Sequence, residues 1–141
     1  MNKLLLILIL FPCFIFGQQT INDSILINGI YRNYITYVPS IYQPSQPTPL
    51  IFNLHGRTST AWQQMWYGDF RDIADTANFI IVHPQGLLDN TGVTHWNLGQ
   101  SNIDDIGFLN SFGCLIESAY LRTGAVECAI NTKTILLEYR L

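Results

Sequence analysis

"LIFNLHGRTST", Leu50 to Thr60, is the stretch on which the reading of the chain turns. Its first five residues are nearly continuously apolar, which predicts a short central strand covered on both faces. The run then stops at His55-Gly56, followed at once by Arg57, Thr58, Ser59 and Thr60. A buried strand must turn somewhere, and Gly56 permits a turn there. The local residues leave two readings open. In one, His55 and Gly56 form a plain strand end with the imidazole satisfied by backbone hydrogen bonds. In the other, the turn aims backbone N–H groups at a reacting oxygen.

On the N-terminal side, "SILINGIYRNYITYVP" (Ser24 to Pro39) places Asn28-Gly29 between two runs of strand-forming residues. Asn-Gly supplies the positive φ angles of a tight primed turn, so a β-hairpin is predicted to open the fold. The proline-dense "PSIYQPSQPTP" that follows reads as a surface connector. On the C-terminal side, Phe70, Ile73, Ala74 and Ala77 recur at helical spacing, with Asp69 as N-cap and Asn78 near the end. A second buried-strand run, "FIIVHPQG", comes directly after. Strand, helix, strand in so short a length implies a parallel crossover. "LLDNTGVTHWN" (Leu87 to Asn97) is loop-like, with Trp96 expected to be exposed. A further helix is predicted from near Asp104, capped by Ser101 or Asn102, with Ile106, Leu109 and Ile116 sharing a face. Gly113 and Cys114 are expected to weaken its continuation. The sum is an α/β layered domain.

Composition agrees with a globular domain. The 141 residues carry a formal net charge of −3, with 48% hydrophobic, 13% aromatic and 12% charged residues. That balance excludes a disordered tail and argues against a nucleic-acid partner. Residues 1–17, "MNKLLLILILFPCFIFG", have one Lys, an apolar run and a small final residue, the pattern of a secretory signal. The run is shorter than the roughly 20 residues a membrane span needs and is interrupted by Pro12. A secreted, extracellular or periplasmic chain is therefore expected, with no stable membrane span after signal removal. Cys13 would leave with the signal, and export would allow Cys114 and Cys128 to pair.

Taken in order, "YVPSIYQPSQPTPLIFNLHG", "DIADTANF", "IIVHPQG", "WN" and "DDIGFL" resemble the first half of secreted α/β-hydrolase esterases. The resemblance is to the polyhydroxybutyrate depolymerase and feruloyl esterase group, and it covers Gly29 to Leu109. It implies the N-terminal portion of an α/β-hydrolase fold over residues 18–109, followed by a divergent tail over 110–141. It also implies a serine-type carboxylic ester hydrolase acting on an ester-bearing polymer or a small ester, with no cofactor and no metal. In that group the loop holding the equivalents of His55 and Gly56 supplies one wall of the oxyanion hole. Carried over, the donor would be the backbone N–H of Arg57, or else of Thr58, and such a donor is worth about 3–4 kcal/mol of transition-state stabilisation. Relatives usually have further glycines in this loop, where this chain reads "RTST". His83 stands where relatives often have Tyr, and is expected to line the cleft at a strand end.

Other candidates are weaker. In these hydrolases the triad runs Ser, then Asp or Glu, then His along the chain, so His55, His83 and His95 all come too early to be the base. None of the three sits at metal-ligand spacing with another. Asp104-Asp105 is read as serving a helix dipole, with Asp105 also able to shape the cleft. Trp62, Trp66, Tyr67 and Trp96 could contact an aromatic acyl group or a sugar, or simply pack. A secreted, non-catalytic carbohydrate-binding module using Trp62, Trp66 or Trp96 is the alternative function.

The nucleophile is missing. A Ser on a strand-to-helix elbow needs small neighbours, as in G-x-S-x-G, and the half-match "GQSNI" around Ser101 has Ile103 where the second Gly belongs. The resemblance stops sharply near Asn110 to Gly113, and "SFGCLIESAYLRTGAVECAINTKTILLEYRL" shares nothing with the group. A frameshifted or truncated esterase, inactive as it stands, is the expectation.

Overall fold

The computed structural model describes residues 17–97, 101–121 and 135–138. The signal-like residues 1–16 and Cys128 lie outside the described residues. The hairpin forms as the Asn-Gly pair predicts. β1 (Gln19–Ile27) and β2 (Ile30–Val38) are antiparallel in continuous register from Gln19↔Val38 to Ile27↔Ile30. Asn28 and Gly29 take φ of 52° and 80°, as a primed turn requires. After the proline-rich connector come β3 (Leu50–Leu54), α1 (Ala61–Tyr67), α2 (Arg71–Ala77) and β4 (Ile80–Pro84). The long helix α3 (Asp105–Leu121) and the short strand β5 (Ile135–Glu138) complete the elements.

The sheet order is β1-β2-β4-β3-β5, with β2 antiparallel to β4, and β3 parallel to both β4 and β5. The strand–helix–strand unit from β3 to β4 is thus the parallel crossover expected. Side chains alternate across the pleat. Leu50, Phe52, Leu54, Ile80 and Val82 meet Phe108, Phe112 and Ile116 of α3 on one face. Ile81 and Tyr37 meet Ala74 and Phe79 on the other face, where Ile35 also meets Ala61 and Met65 of α1. Both helical layers are therefore anchored by full burial, worth roughly 1.5–3 kcal/mol per large apolar side chain.

Three expectations need correction, and one helix was not foreseen. The two-turn helix α1 has only Ala61, Gln64 and Met65 facing inward, too short a pattern to stand out. Its start is nonetheless marked, since the Thr60 hydroxyl accepts the Gln63 N–H at 3.1 Å. First among the corrections, α2 starts at Arg71 with Phe70 as its N-cap, and Asp69 accepts the Arg71 N–H at 3.1 Å from one residue outside that position. Second, α3 is capped by Asp104, whose carboxylate accepts the Gly107 N–H at 2.8 Å, and not by Ser101 or Asn102. Third, α3 runs straight through Gly113 and Cys114, and its buried face is Phe108, Phe112 and Ile116, with Ile106 70% exposed. The roughly 1 kcal/mol helix penalty of a glycine is outweighed by burying Phe112 against Phe52 and Tyr34.

Candidate active site

The C-terminal ends of β3 and β4 lie side by side, and His55 joins them. Its ring is fully buried. Nδ1 is 2.7 Å from the Gly56 carbonyl oxygen, which can only accept, so Nδ1 carries the proton. Nε2 is then the acceptor, and it receives the Gly86 N–H at 2.9 Å and the Gln85 side-chain amide at 3.1 Å. Burial holds the pKa below the ordinary histidine value, against the pull of the Gly56 carbonyl and of Asp105. The imidazole is locked as one neutral tautomer. Gly86 is required for this approach, because a Cβ there would run into the His95 carbonyl oxygen and crowd His55 Nε2.

The loop after His55 is tied to the 87–97 loop at several points. The Thr58 N–H donates to the Thr94 carbonyl at 2.9 Å, the Thr94 hydroxyl to the Ser59 carbonyl at 2.6 Å, and the Trp96 indole N–H to the His55 carbonyl at 2.8 Å. The exposed Arg57 guanidinium reaches the Asp89 carboxylate at 3.0 Å. Asp89 is a local hub, accepting from Thr91 and Val93 as well, and its carboxyl is held well below the usual range, chiefly by the Thr91 hydroxyl.

Two backbone features single this loop out. Thr58 takes φ of 71°, a left-handed conformation that a β-branched residue rarely adopts. The loop therefore follows a path that glycine would take without strain, and its bond to Thr94 holds it there. Beside it, the Arg57 N–H makes no hydrogen bond among the described residues, while the Thr58 N–H is spent. Of the two sequence candidates, Arg57 is the amide left free.

Trp96 is half-buried, not exposed: its ring lies 5.2 Å from that of His55 and braces the loop. Trp62 and Trp66 sit on the outer face of α1, 50% and 58% exposed, 6.1 Å apart. Ser101 belongs to the loop before α3, where its N–H donates to Asn97 Oδ1 and its hydroxyl accepts the Ile103 N–H. Among the described residues no group of three or more His, Cys, Asp or Glu converges as a metal site. Cys114 is disulfide-bonded.

Sequence reading missed the Arg32–Asp105 pair. Both side chains are 3% exposed and meet at 2.6 Å. Asp105 also accepts the Asn97 N–H at 2.7 Å, and the Arg32 guanidinium lies 3.9 Å from the centre of the Phe108 ring. The two adjacent carboxylates thus divide their work: Asp104 caps α3, and Asp105 fixes the loop entering it. The available signal was a charged residue inside the strand "IYRNYITYV". His83 was expected at a cleft wall, but it is fully buried on β4, and among the described residues neither ring nitrogen makes a hydrogen bond. Burial pushes its pKa down to about 4, opposed by Asp69 and the Asn53 backbone and reinforced by Arg71.

No protein-family model matches the chain. A feruloyl esterase C of Emericella nidulans is 32% identical over 102 residues, which is 67% of this chain and 34% of that protein. A bifunctional acetylxylan esterase/xylanase of Neocallimastix patriciarum is 32% identical over 80 residues, 57% of this chain and 11% of that protein. The chain thus spans about a third or less of these relatives. Among solved structures, a ferulic acid esterase aligns with a TM-score of 0.54 at 19% identity, covering 85% of this chain and 48% of the other. An S-formylglutathione hydrolase of Agrobacterium tumefaciens aligns with a TM-score of 0.58 at 16% identity, covering 76% and 46%. The fold is part of an α/β-hydrolase domain, and the chain is similar in sequence to esterases of that group. Among the described residues no helix is long and apolar enough to cross a membrane.

Proposed function

We propose, from the likeness of this chain to α/β-hydrolase esterases, that it carries one wall of a carboxylic ester hydrolase's oxyanion hole without the nucleophile that would use it. The observation that carries the reading is the free Arg57 amide on a loop clamped by His55, Thr94 and Trp96. A donor fixed before the reaction costs no reorganisation when charge develops on a carbonyl oxygen. In the complete reaction, Ser would attack the ester, His would act as its base and a carboxylate would orient the His, while the Arg57 N–H would meet the oxyanion.

None of those three catalytic groups has a candidate in the 141 residues. β5 occupies the sheet position next to β3, yet "ILLEYRL" offers no Ser with small neighbours. Feruloyl or acetyl esters on a polysaccharide are the substrate class favoured by the relatives' names, and an exported chain would meet them outside the cell. The divergent run from Asn110 onward is read as a shifted frame of such an enzyme's gene. Purified chain should leave methyl ferulate and p-nitrophenyl acetate at their buffer rates. Turnover abolished by a serine-directed inhibitor would refute the inactive reading. Translating the encoding DNA in the other forward frames, beyond the codon for Asn110, tests the misreading. A frame giving a strand followed by G-x-S-x-G supports it, and the lack of one in every frame removes it.

A further inference from the structure

A groove of about 540 Å³ lies between the β1–β2 ribbon and α1, within the roughly 300–1,000 Å³ typical of small-ligand sites. Asn22, Ser24, Asn33 and Ile35 line its ribbon side, Trp62 stands on the α1 side, and Gln85 closes the end nearest His55. The ribbon residues share one face because Asn22 pairs with Ile35 and Ser24 with Asn33 in the antiparallel register.

The lining is specific in its chemistry. Trp62 is a half-exposed aromatic plate, steadied by the edge-on contact with Trp66, which itself lies under the Arg71 guanidinium at 4.8 Å. The side-chain amides of Asn22 and Asn33 are exposed and make no hydrogen bonds among the described residues. Each therefore offers both donors and an acceptor. Among the described residues no Lys or Arg lines the groove. Its one carboxylate, Asp23, is already engaged by the Ser24 N–H at 2.7 Å and the Tyr34 hydroxyl at 3.3 Å. A ligand matched to these walls is neutral, has one flat apolar face, and carries a rim of groups that both donate and accept.

We infer that the groove binds a neutral saccharide chain, with Trp62 against the C–H face of one sugar ring and the Asn22 and Asn33 amides on its hydroxyls. A phosphate or other anion finds no cation here, and a purely apolar ligand would strand the two amides without partners. Gln85 links the groove to the oxyanion-type loop, since its side chain accepts the Ala61 N–H and contacts His55 Nε2. A bound saccharide therefore lies beside that loop. Binding itself needs no chemistry at Arg57, so the inference stands or falls apart from the ester-hydrolase reading.

The test is titration of the full chain with xylohexaose and with cellohexaose, followed by calorimetry and by tryptophan fluorescence. At least one should bind saturably. Trp62→Ala should weaken binding at least tenfold and Asn33→Ala severalfold, while Tyr67→Ala, which alters a residue 78% exposed outside the groove, should leave it unchanged. All three side chains are exposed, so the urea midpoints should stay near the parent's. Three outcomes would overturn the inference: no saturation by either oligosaccharide, parental affinity in Trp62→Ala, or preference for the anionic oligogalacturonate over both neutral chains.

Discussion

His55 and His83 occupy similar places, at or near the ends of adjacent parallel strands, and both are completely buried. Their surroundings could hardly differ more. His55 has a partner for each nitrogen and uses them to join β3, the loop after it and the end of β4. Among the described residues, neither nitrogen of His83 has a hydrogen-bond partner. The first histidine is a clamp, and its burial is offset by its hydrogen bonds. The second is a cost, because among the described residues its two ring nitrogens have left water without a hydrogen bond in return. Burial alone therefore does not say whether a histidine stabilises; its partners do.

Replacing each histidine by leucine separates the two most sharply. His55→Leu strands the Gly86 N–H and frees the loop, and should lower stability by about 3 kcal/mol, read as a fall in the urea midpoint. A loss well under 1 kcal/mol would mean that the clamp is decorative. Acid comes next. The folded pKa of His83 is about 4 against an unfolded 6.5, so the unfolded state takes up its proton first as pH falls. Stability should be at its fullest above pH 6.5 and drop by about 3 kcal/mol between there and pH 4, with His55 adding in the same direction. A flat profile across that window would contradict the burial of His83.

His83→Leu should raise stability near neutral pH by about 1–2 kcal/mol, and should remove most of the acid sensitivity. Equal destabilisation by both leucine variants would erase the comparison. The smallest expected effect lies on the clamped loop itself. Thr58→Gly should raise stability by about 1 kcal/mol, since glycine takes a φ of 71° without the cost that threonine bears. A clear drop in melting temperature would show that the threonine side chain is needed there.

Local chemistry made much of the fold legible. Asn28-Gly29 announced the hairpin, and the continuous apolar runs at Leu50 and Phe79 announced the paired inner strands. The α1 helix was hidden because two turns with three inward residues give too little periodicity. The extent of α3 was misjudged because propensity at Gly113 was weighed without the Phe112 contacts that override it. At the site, His55-Gly56 could be singled out, but not what held it. Those ties join residues far apart in the chain, 31 positions for His55 and Gly86, and 73 for Arg32 and Asp105. Such distances carry no local pattern. The strained Thr58 backbone was equally silent, since "RTST" contains no glycine to mark a left-handed turn.

The clamp matters only if it leaves the right amide free. The most direct test is backbone hydrogen exchange of the ¹⁵N-labelled chain at two neighbouring amides. Thr58 should be protected by its bond to the Thr94 carbonyl, and Arg57 should exchange at close to the rate of an open chain. Protection of Arg57 equal to that of Thr58 would contradict the proposed oxyanion role of this loop.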